Sequence, residues 1–201
     1  MFALSASRSN AFHSALDRLT KPECLYTSFD FFTKEEIKEL VMQAADISFR
    51  KATEIVGNNV HQDMDVCFPA PRIGAFDKCA CLMESTIHSW GGFDQYLLPA
   101  FHLNDFAVQR YPAGSKGIGI HKDGLRYKNL VIIITLSGVS RLFHTNKREG
   151  GRRIKIDDKP GRIVLLKATG FGGETQDSRA LHGVDNIETG RLSIGFRYEP
   201  S

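Results

Sequence analysis

Beyond Phe106 the chain is a series of short runs: FAVQRY, GIGIHKD, NLVIIITL, SRLFHTN, RRIKID, RIVLLKA and RLSIGFRYE, parted by Gly, Pro, Asn and Asp. Each is rich in β-branched and aromatic residues and too short for a globular helix, so each predicts a strand. Seven strands at this spacing, after a more helical N-terminal half, predict an α+β fold. The expected architecture is a sandwich or jelly roll over residues 106–198, with helices packed on one side.

The N-terminal half carries the helix signals. In FFTKEEIKELVMQAADISFR, Thr33 and Glu36 form a capping box, with Phe32 and Ile37 placed as its hydrophobic staple. Ile37, Leu40, Val41, Ala44 and Ala45 then recur on one face. Residues 50–76 are punctuated by Pro and Gly and read as loops and short strands. A second helix is expected over about 78–89, ending before Gly91-Gly92. The opening stretch MFALSASRSNAFHSALDRL lacks acids until Asp17, a composition compatible with organelle targeting, but no secretory h-region is evident. The preferred reading is a flexible tail within residues 1–20 leading into a short amphipathic helix of Phe12, Ala15, Leu16 and Leu19.

Bulk composition excludes several classes. At 201 residues with 42% hydrophobic content, one domain over 1–201 is the simplest organisation, and no internal repeat divides it. The longest apolar run, Leu130–Leu136, is strand-sized, so no membrane-spanning helix is expected. A net charge of +3 permits an anionic substrate without announcing a nucleic-acid binder. Cys24, Cys67, Cys79 and Cys81 match no zinc spacing; free thiols in a reducing, cytoplasmic setting are the expectation.

Chemistry-bearing residues gather in the β region. His121 and Asp123 stand two apart at the end of GIGIHKD, on one side of an extended chain. Alone, such a pair reads equally well as two surface polars. His182, in RALHGVD, supplies a second imidazole; two histidines and one carboxylate form the facial triad of non-haem iron(II) oxygenases, with coordination positions left open. His144, in LFHTN, is a rival ligand for which a structural role is preferred. Arg191 and Arg197 are six apart, hence on one face of RLSIGFR with Ser193 and Gly195. Arginines pointing into a barrel need an anion, and a dicarboxylate would supply one. The alternating Leu192, Ile194 and Phe196 are left to carry that strand's core contribution.

Together these segments resemble the Fe(II)/2-oxoglutarate-dependent dioxygenases, and within them the AlkB-like branch. RYPAGSKGIGIHKD resembles the Tyr-containing strand, turn and His-x-Asp of that branch, and NLVIIITLSGVSRLFHT its following strand pair. KPGRIVLLKA and ALHGV resemble the approach to its distal histidine, and RLSIGFR its Arg-x5-Arg signature. Farther upstream FDFFTKEEIKEL resembles the opening helix and APRIGAFD the substrate-lid strand. The resemblance implies His121, Asp123 and His182 as ligands of Fe(II), and Arg191 with Tyr111 at the distal carboxylate of 2-oxoglutarate. It places Arg197 near the other carboxylate and Asp123, and Gln109 and Ser193 where relatives often have asparagines. The implied reaction takes O2 and 2-oxoglutarate through a ferryl intermediate to succinate, CO2 and a hydroxylated C–H bond. A carboxylate at position 123 argues against a halogenase.

Two substrate classes follow from the residues around the motif. A small-molecule or amino-acid-like substrate would pair an acidic group with Arg72, Lys122 or Arg126. An N-alkylated nucleic acid, demethylated with release of formaldehyde, would use Lys122, Arg126, Lys128 and the run NKREGGRRIK, which also reads as a solvated hairpin. Leu125, two places past Asp123, stands where the resembled base-repair enzymes often have an acid. Phe68, Phe76 and Trp90 read more readily as core than as a stacking platform. The first class is therefore preferred.

Overall fold

The computed structural model describes residues 2–57 and 59–200. Helix α1 (Ala6–Leu19) starts at Ser5, whose hydroxyl accepts from the Arg8 amide. Phe12, Ala15, Leu16 and Leu19 are all buried, as the expected amphipathic helix requires. The helix reaches back to Ala6, so little of residues 1–20 is left as the expected flexible tail. The physical reason is its own apolar stripe, which meets Phe29 and Phe31 edge to face at centroid separations of 5.2 and 5.4 Å. Strand β1 (Tyr26–Asp30) follows, and the expectation of a helical first half passed over it. Helix α2 (Lys34–Ala45) begins with the anticipated capping box: the Glu36 amide donates to Thr33 Oγ1 and the Thr33 amide to Glu36.

Residues 50–67 form four short strands, β2 (Arg50–Lys51), β3 (Ile55–Val56), β4 (Val60–Asp63) and β5 (Asp65–Cys67). Helix α3 (Gly74–His88) starts four residues ahead of expectation. The second half of APRIGAFD is therefore its first turn and not a strand; Gly74 takes φ +54° there and Asp77 complements the helix N-terminus. A short helix, α4 (Phe93–Tyr96), leads to the β region.

Each of the seven β-rich runs contains a strand: β6 (Asp105–Tyr111), β7 (Gly117–His121), β8 (Lys128–Gly138), β9 (Arg141–Thr145), β10 (Ile154–Lys155), β11 (Arg162–Lys167) and, at the end, β13 (Arg191–Tyr198). LHGVD adds β12 (Leu181–Asp185). One sheet has the order β1-β11-β8-β13-β6-β5-β2 and the other β10-β9-β12-β7-β4-β3. Pairing within both is antiparallel, and the chain crosses between them at nearly every step from β6 to β13.

Alternation along the larger sheet builds two cores. Leu130, Ile132, Ile134 and Leu136 of β8 pack with the helices, as do Ile194 and Phe196 of β13, the latter stacked on Phe106 at 4.4 Å. Val131, Val164 and Leu166 join Ile118, Leu142 and Val184 between the sheets. Burial of such side chains contributes about 1.5–3 kcal/mol each. The alternation leaves Arg191, Ser193, Gly195 and Arg197 facing the second, smaller core, which is where the polar site lies. All four cysteines are free, as expected. No helix among the described residues is long and apolar enough to cross a membrane.

Candidate metal centre

Strand β7 ends on His121, and the ladder sets His182 of β12 directly opposite it. Opposed residues on one face of an antiparallel pair are close neighbours, and here the ring centroids are 4.3 Å apart. The strands can approach because position 183 is glycine: a Cβ there would collide with Ile118 O and the Phe143 ring.

Both imidazoles are held in one tautomer. His121 Nδ1 lies 2.8 Å from Gly119 O, and His182 Nδ1 lies 3.0 Å from Ala180 O. A carbonyl only accepts, so Nδ1 carries the proton in each ring and Nε2 keeps its lone pair. His182 Nε2 is 3.5 Å from Asp123 Oδ2. One ligand atom from each of His121, Asp123 and His182 falls within 4.8 Å of the others, and no other His, Cys, Asp or Glu set converges this way among the described residues.

Arg197 completes the arrangement. Its Nε donates to Asp123 Oδ1 at 3.1 Å, which leaves Oδ2 turned toward the imidazoles. Burial pushes the Asp123 carboxyl up, but Arg197 and the two histidines outweigh it and hold the group down at about 2. Burial, with His182 adding to it, pushes His121 down to about 4, so its ring is neutral at neutral pH, the form that binds metal.

Deeper in, the β6–β13 register sets Tyr111 opposite Arg191 and Gln109 opposite Ser193. Tyr111, Arg191 and Gln109 bound an inner pocket of about 30 Å³, which His121, His182 and Arg197 also line. The Ser193 hydroxyl donates toward Gln109 Oε1 at 3.5 Å, and burial pushes the Tyr111 phenol up to about 12. Arg191 is 3% exposed; its Nη1 donates to Ser140 Oγ at 3.0 Å and to the Asp158 carboxylate, while its Nε is buried without a partner. The anion that a buried arginine requires thus comes from within the chain: Asp158 for Arg191, and Asp123 with Asp105 for Arg197. Nothing in the sequence marks Asp158, which falls between the run RRIKID and the turn KPG.

Outward, a cleft of about 760 Å³ takes in His121, Asp123, Lys122, Leu125, Arg126 and Arg197. Lys122 pairs with Asp177 at 2.9 Å; Arg126 donates to Tyr127 Oη at 2.6 Å; Leu125 is 62% exposed. Arg72 lies outside this cleft. Its guanidinium is committed to Glu84, Asp77 and the Leu103 carbonyl, tying the start of α3 to the chain entering β6, which leaves it no free donor face for a substrate. His144 neighbours His182 in the ladder but turns its Nδ1 to Leu181 O and its ring to Tyr26. Phe76 and Trp90 are core, whereas Phe68 lines the cleft. Arg148, from the basic run NKREGGRRIK, and Arg179 also line it; Arg179 carries no sequence signal beyond its charge.

Neither a family model nor a curated protein matches the chain. Solved structures do. A prolyl hydroxylase from Trichoplax adhaerens, in complex with a hypoxia inducible factor oxygen degradation domain peptide fragment, is similar at TM-score 0.68 and 15% identity, over 96% of this chain and 90% of that one. A Pseudomonas putida prolyl-4-hydroxylase is similar at 0.64 and 17%, over 94% and 100%. A Burkholderia pseudomallei oxidoreductase of the 2OG-Fe(II) oxygenase family is similar at 0.58 and 12%, over 98% and 93%. At these identities the likeness establishes the fold.

Proposed function

We propose that the chain is a single Fe(II)- and 2-oxoglutarate-dependent oxygenase domain, its sheets forming a double-stranded β-helix, and that it hydroxylates a C–H bond of an amino-acid-like substrate. The observation that carries this reading is the convergence of His121, Asp123 and His182 with both Nδ1 protons tied to carbonyls. Two imidazoles and one carboxylate fit iron(II) with positions left for cosubstrate and O2. The repeated crossing of the chain between its sheets supports the β-helix assignment.

When bound, iron with 2-oxoglutarate supplies an oxidation in which dioxygen delivers one atom to the substrate as hydroxyl and the other to succinate, with CO2 released. His121 and His182 would hold the metal through Nε2 and Asp123 through Oδ2. Arg197 fixes the carboxylate rotamer. The unpartnered Arg191 Nε is an orphan donor suited to the distal carboxylate of 2-oxoglutarate, with Tyr111 and Gln109 lining the same pocket. A space of 30 Å³ holds about one or two waters, so loading must part these side chains.

The prolyl hydroxylases among the similar structures, one with a peptide, support an amino-acid C–H bond as the target. Leu125, apolar at the cleft mouth, accords with this. One observation favours a second reading, the AlkB-like demethylation of N-alkylated nucleic acid: Arg148, from NKREGGRRIK, lines the cleft. Anaerobic addition of Fe(II) and 2-oxoglutarate should give a visible charge-transfer band that His121→Ala abolishes; an unchanged spectrum in the variant would defeat the metal assignment. A succinate-release screen of amino acids, peptides and methylated oligonucleotides separates the substrate classes.

A further inference from the structure

Resting on the oxygenase reading, we infer that the outer cleft takes its substrate by a carboxylate, gripped by Lys122, Arg148 and Arg179 beside the metal centre. Lys122 stands between two of the proposed metal ligands, and Arg179 donates through Nη1 to the carbonyl of Asp123. Both cations are therefore fixed close to the reacting centre, and their side chains are recessed, at 22% and 12% exposure. They share a single acid. Asp177 accepts from Lys122 Nζ at 2.9 Å and from Arg179 Nε and Nη2 at 2.7 and 2.8 Å. Its side chain is 43% exposed, on the segment between a 3-10 turn (Phe171–Gly173) and β12.

Arg148 lines the same cleft, is exposed, and has no hydrogen bond or ion pair among the described residues. Asp123, the acid that lines the cleft, is engaged by Arg197, and the nearby Asp105 and Glu199 by Arg126. Three cations thus face one acid, an excess of positive charge that an incoming anion would balance. Val60, Ile118 and Leu125 line the cleft beside them, and apolar walls strengthen such a field. Arg148 offers a planar donor pair that matches a carboxylate, Arg179 adds the Nη hydrogens that Asp177 and the Asp123 carbonyl leave over, and the apolar wall suits the carbon chain behind it. The carboxylate belongs either to a free amino acid or to an acidic side chain within a peptide.

The test titrates the ¹⁵N-labelled full chain, with Zn(II) and 2-oxoglutarate present, using four probes: acetyl-Ala-Asp-Ala-amide, its Asn counterpart, free L-aspartate and a thymidine hexanucleotide. The acidic peptide or free aspartate should bind about tenfold tighter than the Asn peptide, with shifts at Lys122, Arg148 and Arg179. Whichever of the two binds identifies the source of the carboxylate. Arg148→Glu, at an exposed position, should erase that preference, and Arg179→Gln should weaken it. Equal binding of Asp and Asn peptides, or an unaltered preference in Arg148→Glu, overturns the subsite; binding of the oligonucleotide alone overturns it in favour of nucleic acid. The charge-transfer band with Fe(II) is read separately. Its absence defeats the oxygenase reading while the shift titration still decides the anion site.

Discussion

Arg191 and Asp158 form an ion pair at the inner end of the pocket, their side chains only 1% and 7% exposed. Thr135 Oγ1 donates to the same carboxylate oxygen at 2.8 Å. Removing one member of such a pair leaves an uncompensated buried charge, which is far costlier than losing both. Asp158→Ala should therefore lower stability by about 3–5 kcal/mol, read as the urea midpoint of the metal-free chain. The double replacement Asp158→Leu, Arg191→Met should recover much of that loss while 2-oxoglutarate binding disappears. A single variant that unfolds like the parent would show that the pair does not support the fold.

Arg197 makes a different prediction, because its partner is a proposed ligand. By holding Asp123 Oδ1 it selects the rotamer that turns Oδ2 to the histidines. Gly195 gives it room, since a Cβ there would press on the guanidinium at 3.3 Å. Arg197→Gln should weaken Fe(II) binding by about 10–100-fold in an anaerobic titration, the range typical of groups that orient metal ligands. Binding at parental strength would mean that the carboxylate orients itself.

The β half of this fold was legible because strands announce themselves locally. RLSIGFR alternates so regularly that both faces of β13 follow from spacing, while NLVIIITL marks β8 as a strand-sized apolar run. β12 gives only a weak local signal because LHGVD is short and carries a glycine, yet that glycine is what lets His182 approach β7. α3 was read four residues short because its first turn, Gly74–Asp77, follows a proline-rich approach that reads as loop.

Within the candidate site, residues tied to a motif could be found and their partners could not. His121, Asp123, His182, Arg191 and Arg197 follow strand spacing; the fold brings His121, His182, Arg191 and Arg197 to one pocket and sets Asp123 beside the two histidines. Asp158 and Arg179 are defined by contacts 33 and 56 residues away, and no local pattern encodes those. Arg72 drew attention through its charge alone; whether an arginine is free depends on Glu84 and Asp77, which only the folded chain sets beside it.

His121 gives the metal-free chain a pH signature. Its folded-state value is pushed down to about 4 from an ordinary 6.5, chiefly by burial. The unfolded chain therefore binds a proton between those values that the folded chain refuses. Stability should be full above about pH 6.5 and fall, by on the order of 2–3 kcal/mol, as the pH drops toward 4. Chemical denaturation across that window should show the slope, and His121→Gln should flatten it. A parental slope in the variant would assign the effect to other groups.

Glu36 carries two elements at once. Its carboxylate accepts from the Thr33 amide at 2.9 Å, closing the cap of α2, and from Arg8 at 3.0 and 2.9 Å, pinning α1. The Glu36 side chain is 2% exposed and that of Arg8 15%, with the guanidinium 4.5 Å from the centre of the Phe31 ring. Losing the Thr33 hydroxyl removes one capping bond, so Thr33→Ala should cost about 1 kcal/mol. Glu36→Ala strands the Arg8 charge as well and should cost about 3 kcal/mol or more. The two urea midpoints, compared with protease sensitivity of the connection at residues 20–25, separate the roles. Equal losses in the two variants would mean that the helix cap alone matters and that α1 is held by its apolar face without Arg8.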